Sequence, residues 1–226
     1  MGKNKLARFE ENLTFPNLFQ PRCQDLRAGG FVLKGKWNDA FFMNDHPIIL
    51  ELGCGKGEYT VGLAQKYPEN NYIGIDIKGA RIWRGCKTSN EKQLRNVAFI
   101  RTKTELIEDL FQAGEIREIW LSFPDPQPKK SKARKRMTSP LFLNRYRNIL
   151  TPDHLIHLKT DNDKLFHYTM DIIREEKHTL IYATEDIYKH DPPEELTSIQ
   201  THYEKLFLQE GLRIKYLKFR LNQGKC

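Results

Sequence analysis

Short apolar runs rich in β-branched residues alternate along the chain with longer stretches whose apolar positions recur every three to four residues. That alternation predicts a doubly wound α/β fold. Strands are expected near 47–52, 71–76, 97–101, 116–122, 154–160, 179–184 and 213–220. Helices are expected near 57–66, 79–94, 104–112, 139–150, 162–176 and 199–210. The expected core is a seven-stranded, mostly parallel sheet with helices on both faces. Residues 1–30 are polar and basic, with Lys3, Lys5 and Arg8 and no sustained period. They are expected to form a flexible basic arm, and 31–226 a single domain. Phe31 to Phe42, which contains Lys34-Gly-Lys-Trp37, is expected to cover the first strand with a short helix. There is no internal repeat, and the one compositional break lies at 124–136.

The most informative stretch runs from Pro47 through Glu51-Leu-Gly-Cys-Gly-Lys-Gly57 to Tyr59. An apolar run reads as a buried parallel strand, Gly53, Gly55 and Gly57 allow a tight turn, and Glu58 opens a helix. Strand, glycine turn and helix together set backbone N–H groups and a positive helix end against a bound nucleotide. Glu51 before the first glycine and Glu58 after the last would repel a pyrophosphate. S-adenosylmethionine has no phosphate and carries an ammonium and a sulfonium, which suit a carboxylate near the turn. A strand-end salt bridge also accounts for Glu51. The pattern Glu-x-Gly-x-Gly-x-Gly resembles motif I of the Rossmann-like class I methyltransferases.

Charge points the same way. The chain has 37 Lys+Arg against 29 Asp+Glu, a net charge of +8 and a pI of about 9.2, which favours a polyanionic partner. Cys23, Cys54, Cys86 and Cys226 lack metal-ligand spacing, and the seven histidines are scattered, so reduced thiols and no metal site are expected. No apolar run approaches the ~18 residues of a membrane span, and a cytoplasmic protein is expected.

Ligands of open α/β sheets lie beyond the carboxyl ends of the strands, where four acids fall: Glu51, Asp76, Asp125 and Asp161. Asp76 closes Tyr72-Ile-Gly-Ile-Asp76, from which a carboxylate reaches ribose hydroxyls; a helix N-cap is its other role. Asp125 sits in Ser122-Phe-Pro-Asp-Pro126, where two prolines fix the backbone around the acid. An ordinary Asp-Pro turn gives the same string. The segment that follows, Lys129-Lys-Ser-Lys-Ala-Arg-Lys-Arg136, holds six basic residues in eight and no acid. Next to a candidate catalytic loop it reads as a clamp for RNA phosphates rather than a solvated loop. Asp161 caps the helix at 163 or faces a substrate base. In Thr201-His-Tyr-Glu204, Tyr203 is a core or a base-facing residue, and Leu206 and Phe207 are expected in the core.

Glu-Leu-Gly-Cys-Gly-Lys-Gly, Phe-Pro-Asp-Pro followed by Lys-Lys, Lys-Thr-Asp-Asn and Thr-x-Tyr-Glu occur here in one order and spacing, from Lys34 to Glu204. Together they resemble the bacterial tRNA (guanine-N7-)-methyltransferase family, which methylates guanine 46 of the tRNA variable loop. The resemblance implies S-adenosylmethionine contacts from Glu51, Gly53, Gly55, Asp76 and Asp125, with Asp125 also catalytic. It implies tRNA contacts from Lys129, Lys132, Arg134, Lys135, Arg136, Asp161, Thr201, Tyr203 and Glu204, no metal, and a monomer or homodimer. Two positions depart from the family pattern. Gln127 stands where an aromatic usually follows Pro-Asp-Pro, and Lys103 where an acid often lies near the adenine.

Three other classes fit less of the chain. An NAD-dependent oxidoreductase would want Gly-x-Gly-x-x-Gly, and the third glycine is one position early. A non-catalytic RNA-binding module leaves the rim acids without a role, and a small-molecule methyltransferase leaves the basic run without one.

Overall fold

The structure, a computed structural model, describes residues 3–189 and 193–222. Its centre is β2 (Ile48–Leu52), in which every residue is buried. β2 pairs in parallel with β3 (Asn71–Asp76) on one side and β5 (Ile116–Ser122) on the other. Beyond β3 lies β4 (Val97–Arg101), and beyond β5 lies β6 (Leu150–Thr160). The sheet ends with β8 (Lys215–Arg220), antiparallel to β6, and β7 (Thr179–Thr184), antiparallel to β8. Strands 2, 3 and 4 run outward to one side and 5, 6, 8 and 7 to the other, so the topological switch falls between β2 and β5.

The sheet has eight strands where seven were expected. The extra one, β1 (Leu18–Phe19), pairs in parallel with β4. Two residues are too short a run to leave a periodic signal.

Both faces of the sheet are covered. On one lie α3 (Glu58–Lys66), α4 (Gly79–Glu91), α8 (Glu194–Thr197) and α9 (His202–Gln209), with Tyr59, Leu63, Ile82 and Leu196 packed on Ile49, Phe99 and Trp120. On the other lie α5 (Ile107–Leu110), α6 (Pro140–Arg147) and α7 (Asp163–Glu175), packed through Leu110, Phe142 and Phe166. The helix expected over 104–112 is a 3₁₀ turn, Thr104–Leu106, running into the short α5. Trp37 is fully buried, with rings of Phe19, Phe31, Phe41 and Phe111 within 6 Å. The short helix expected there is one π-helical turn, Asn38–Phe42.

The stretch expected as a flexible arm carries α1 (Lys3–Glu11), β1 and α2 (Cys23–Gly29). α1 lies on α4: Trp83 donates its indole N–H to Glu11 Oε2 (2.6 Å), Lys87 pairs with Glu11 (3.0 Å), and Asn12 Nδ2 donates to Gly79 O (3.0 Å). The contacts are polar and cation–aromatic, which is why no apolar stripe announced them. Among the described residues no helix is long and apolar enough to cross a membrane. Cys54 and Cys86 are buried thiols and Cys23 is exposed; Cys226 lies outside the described residues.

Candidate active site

The glycine turn follows β2. Gly53, Gly55 and Gly57 have φ of +75°, +56° and +69°, a region that costs a side chain ~1–2 kcal/mol. At Gly57 space also forbids a side chain, since a Cβ would stand 2.6 Å from the Phe99 ring and 3.1 Å from Gly85 Cα. The turn is tied to β3: Gly53 and Cys54 both donate N–H to Ile75 O (2.8 and 3.0 Å). Asp76 accepts from Gly55 N (3.0 Å) on one oxygen and from Lys78 N (2.7 Å) on the other.

A cavity of about 540 Å³ opens over the carboxyl ends of β2 to β5. Ile77, Phe123, Pro124, Met137 and Phe207 give it an apolar lining, and Asp76, Glu105 and Asp125 supply carboxylates. Arg81, Lys103 and Tyr203 complete much of the wall. Its volume suits a ligand of nucleoside size. Thr102 lines it with a buried hydroxyl that has no hydrogen-bond partner among the described residues. An orphaned hydroxyl beside apolar walls and carboxylates fits a cofactor that joins a nucleoside to a cationic group.

Of the sequence-predicted cofactor residues, Gly53, Asp76 and Asp125 line the cavity. Gly55 acts through the turn that Asp76 holds. Glu51 lies behind the wall, only 5 % exposed, accepting the backbone N–H (2.9 Å) and hydroxyl of Thr60 on Oε2. Burial, with Asp76 nearby, pushes its pKa up to about 7 against the hydrogen bonds that oppose the shift.

Asp125 is exposed at the cavity edge, and its Oδ1 accepts the Gln127 N–H at 3.0 Å. Phe123 (φ 53°) and Gln127 (φ 44°) both adopt left-handed backbone. Two such non-glycine residues bracketing one acid are a strained arrangement that the surroundings must hold. Arg136 holds it. Its guanidinium donates to Pro126 O (3.2 Å) and Gln127 O (3.2 Å) and lies 4.2 Å from the Tyr168 ring centre. Arg136, expected among the phosphate contacts, is thus turned inward as a brace for the Pro-Asp-Pro loop, because the loop carbonyls are its nearest acceptors.

Lys129, Lys132, Arg134 and Lys135 are exposed. The segment forms a 3₁₀ helix over Lys130–Lys135, and none of these cations makes an ion pair among the described residues.

Three other expected substrate contacts are placed differently. Glu204 is fully buried, paired with the equally buried Lys159 at 2.7 Å and accepting from Tyr188 OH at 2.8 Å. Thr201 forms a capping box with it, accepting Glu204 N–H at 3.2 Å. Both serve the start of α9 rather than the cavity, since an acid placed three residues into a helix reaches back to its cap. Asp161 stands off the cavity wall, half-buried, its pKa raised by burial. It does not cap α7; Asn162 does, through Leu165 N at 2.9 Å. Tyr203 does line the cavity, as does Phe207, while Leu206 is 39 % exposed rather than core.

Thr102, Arg81, Glu105 and Met137 also line the cavity, and none of them is marked by the sequence motifs. Thr102 follows β4 directly, so the rule that singles out acids just past strand ends would reach it if hydroxyls were included. Arg81 and Met137 arrive from a helix turn and a distant loop, and no local signal marks them.

A family described as "Putative methyltransferase" matches residues 45–217. A tRNA (guanine-N(7)-)-methyltransferase of Christiangramia forsetii is 54% identical over 221 residues, 97% of this chain and 99% of the relative. One of Listeria monocytogenes is 35% identical over 217 residues, 96% of this chain and 95% of the relative. Among solved structures, the 16S rRNA methyltransferase KamB superposes with a TM-score of 0.59 at 14% identity, covering 78% of this chain and 88% of that one. That likeness concerns the fold alone: a Rossmann-like sheet of class I methyltransferases. With this sheet order, this glycine turn and relatives of this identity over nearly the whole length, the chain is a methyltransferase and belongs to the tRNA (guanine-N(7)-)-methyltransferase family.

Proposed function

We propose that the chain transfers a methyl group from S-adenosylmethionine to N7 of guanine in tRNA, at position 46 of the variable loop. The observation that carries the reading is Asp125, a carboxylate on a braced Pro-Asp-Pro loop at the edge of a nucleoside-sized cavity, followed directly by cations that make no ion pair among the described residues. The cofactor, when bound, supplies an electrophilic methyl group on a sulfonium.

Guanine N7 has a free lone pair, so no residue needs to remove a proton before attack. With the cofactor bound, attack by N7 on its methyl group would leave the bonding pair with the sulfur and make the purine cationic. The residues therefore act by alignment and charge. Asp76 holds the glycine turn and presents a carboxylate to the ribose side of the cavity. Asp125 accepts from guanine N1–H and the N2 amino group and favours the cation that forms. Thr102 offers its unpaired hydroxyl to the cofactor. Tyr203 is set to contact the base, and Lys129, Lys132, Arg134 and Lys135 take phosphates. Glu51, Arg136, Thr201 and Glu204 keep those groups in place. The reading implies a cytoplasmic enzyme acting as a monomer or homodimer.

The test is methyl transfer to unmodified tRNA transcript, with the modified base mapped by reductive strand scission. Scission at guanine 46 is expected; transfer to another base or to no RNA would remove the proposal. Asp125→Asn keeps the shape of the side chain and loses its charge. Its single-turnover rate should fall by ~10²–10³, the scale of losing one preorganised electrostatic partner, with unchanged melting temperature. A near-normal rate would demote Asp125 to a turn residue.

A further inference from the structure

A second cavity, of about 410 Å³, opens among α1, the glycine turn and the first turns of α4, lined by Arg8, Lys56, Glu58, Arg81, Trp83 and Arg84. Arg81 lines both this cavity and the larger one, so the two adjoin across one side chain. Four cations here share one carboxylate, and Glu58 already accepts the His202 N–H at 2.8 Å. None of the four makes an ion pair among the described residues. Like charges gathered around one opening raise the energy of the folded chain unless a polyanion relieves them.

The second cavity offers charge and little else. The Trp83 ring carries Arg8 at 4.6 Å and Lys87 at 5.2 Å from its centre, and its indole N–H is spent on Glu11. An aromatic already engaged by two cations is a poor platform for a base. The site also lies opposite the basic stretch after β5. α3 and α4 pack on one face of the sheet, while Lys130–Lys135 leads into α6 on the other. The larger cavity opens between these two cationic surfaces.

We propose that Arg8, Lys56, Arg81 and Arg84 form a second RNA-backbone site, which takes phosphates on the far side of the target nucleotide from Lys129–Lys135. The inference rests on the tRNA reading above. An RNA strand gripped on both sides of the cavity mouth is held with one nucleotide over Asp125. Because the contacts are to phosphate, they supply affinity and register but no sequence preference.

The test is equilibrium binding of unmodified tRNA transcripts of unrelated sequence across a range of salt, for the full chain and two variants. Lys56→Ala/Arg84→Ala should reduce the log–log salt slope by about 1.4–1.8, two phosphates at about 0.7–0.9 each. Arg84→Ala alone, at an exposed helix position that does not line the larger cavity, should lose about half of that and leave S-adenosylmethionine affinity unchanged by calorimetry. The loss should be equal for every tRNA. An unchanged slope in both variants, beside a wild type that binds and methylates tRNA, would overturn the second site and spare the proposed function. A loss confined to one tRNA sequence would also overturn it, since backbone contacts cannot select. If the wild type neither binds nor methylates tRNA, the proposed function falls and the second site with it.

Discussion

Glu51 and Asp76 stand at the ends of neighbouring strands, yet their surroundings give them different behaviour. Asp76 has a backbone N–H on each oxygen and an open side toward the cavity. Glu51 is almost sealed from water, and the loss of hydration holds its pKa at about 7 in the folded chain, against 4.5 for the free side chain. A carboxyl group raised in this way binds a proton more tightly folded than unfolded. Its contribution to stability is complete below about 4.5 and is lost as pH rises through about 7. Denaturant titrations of the cofactor-free chain between pH 4.5 and 8 should therefore show wild type losing on the order of 1–3 kcal/mol relative to Glu51→Gln. Parallel pH profiles for the two proteins would mean that Glu51 stays ionised throughout. Asp125 and Asp161 make a second contrast. Both read from the sequence as rim acids, but only Asp125 reaches the cavity, because a strained and braced loop carries it outward. Asp161 is drawn toward Lys215, which donates to its carbonyl at 3.2 Å.

The helix α9 supplies Tyr203 and Phe207 to the cavity wall, and its position depends on one buried ion pair. Lys159 on β6 and Glu204 on α9 are both inaccessible to water and 2.7 Å apart. Lys159 also donates to Leu196 O at 2.6 Å. Burial pulls the lysine below its ordinary range, and Glu204 opposes that pull. Removing one partner strands the other charge, so Glu204→Ala should cost ~3–5 kcal/mol in chemical denaturation, and Glu204→Leu with Lys159→Met should recover most of it. If Glu204→Ala unfolds normally but binds tRNA poorly, Glu204 faces the substrate after all. This pair also marks how far the sequence is legible. Most of the long strands and the helices α3, α4, α6, α7 and α9 are visible in it because each buries an apolar run or an apolar face, while β7 is exposed and shows only as a short apolar, β-rich run. Motif strings hold both Glu204 and its partner, the lysine that opens Lys-Thr-Asp-Asn, but nothing in either string announces that two residues forty-five positions apart pair with each other. For the same reason α1 passes for a loose arm: Glu11, Asn12 and Arg8 are attached by polar and cation–aromatic contacts to α4, which leave no hydrophobic period. Arg136 groups with its basic neighbours in sequence because composition cannot show which way a side chain turns.

Across the whole molecule, part of the net charge of +8 stands beside the cavity, where it can act. Arg22, Lys66, Arg117 and Arg174 are paired with carboxylates, whereas Lys129, Lys132, Arg134 and Lys135 stand exposed beside the cavity with no ion pair among the described residues. Surface ion pairs contribute ~0–1 kcal/mol each, so pairing those four would have gained little stability. Their value is as a field aimed at a polyanion, which speeds encounter and holds it by releasing its counterions. Replacing Lys132, Arg134 and Lys135 together by Ala should therefore lower the log–log salt slope of tRNA binding by about 0.7–0.9 for each phosphate that is no longer neutralised. Melting temperature should stay within about a degree, since these side chains pack on nothing and exposed substitutions of this kind change stability by under ~0.5 kcal/mol. S-adenosylmethionine affinity should not move, because none of the three lines the larger cavity. The triple variant and Asp125→Asn thus separate the two halves of the proposed reaction: one loses affinity at normal single-turnover rate under saturating tRNA, the other loses rate at normal affinity. If the triple variant binds tRNA with an unaltered salt slope, the basic stretch is a solvated loop. The polyanion would then have to be held by Arg8, Lys56, Arg81 and Arg84 alone.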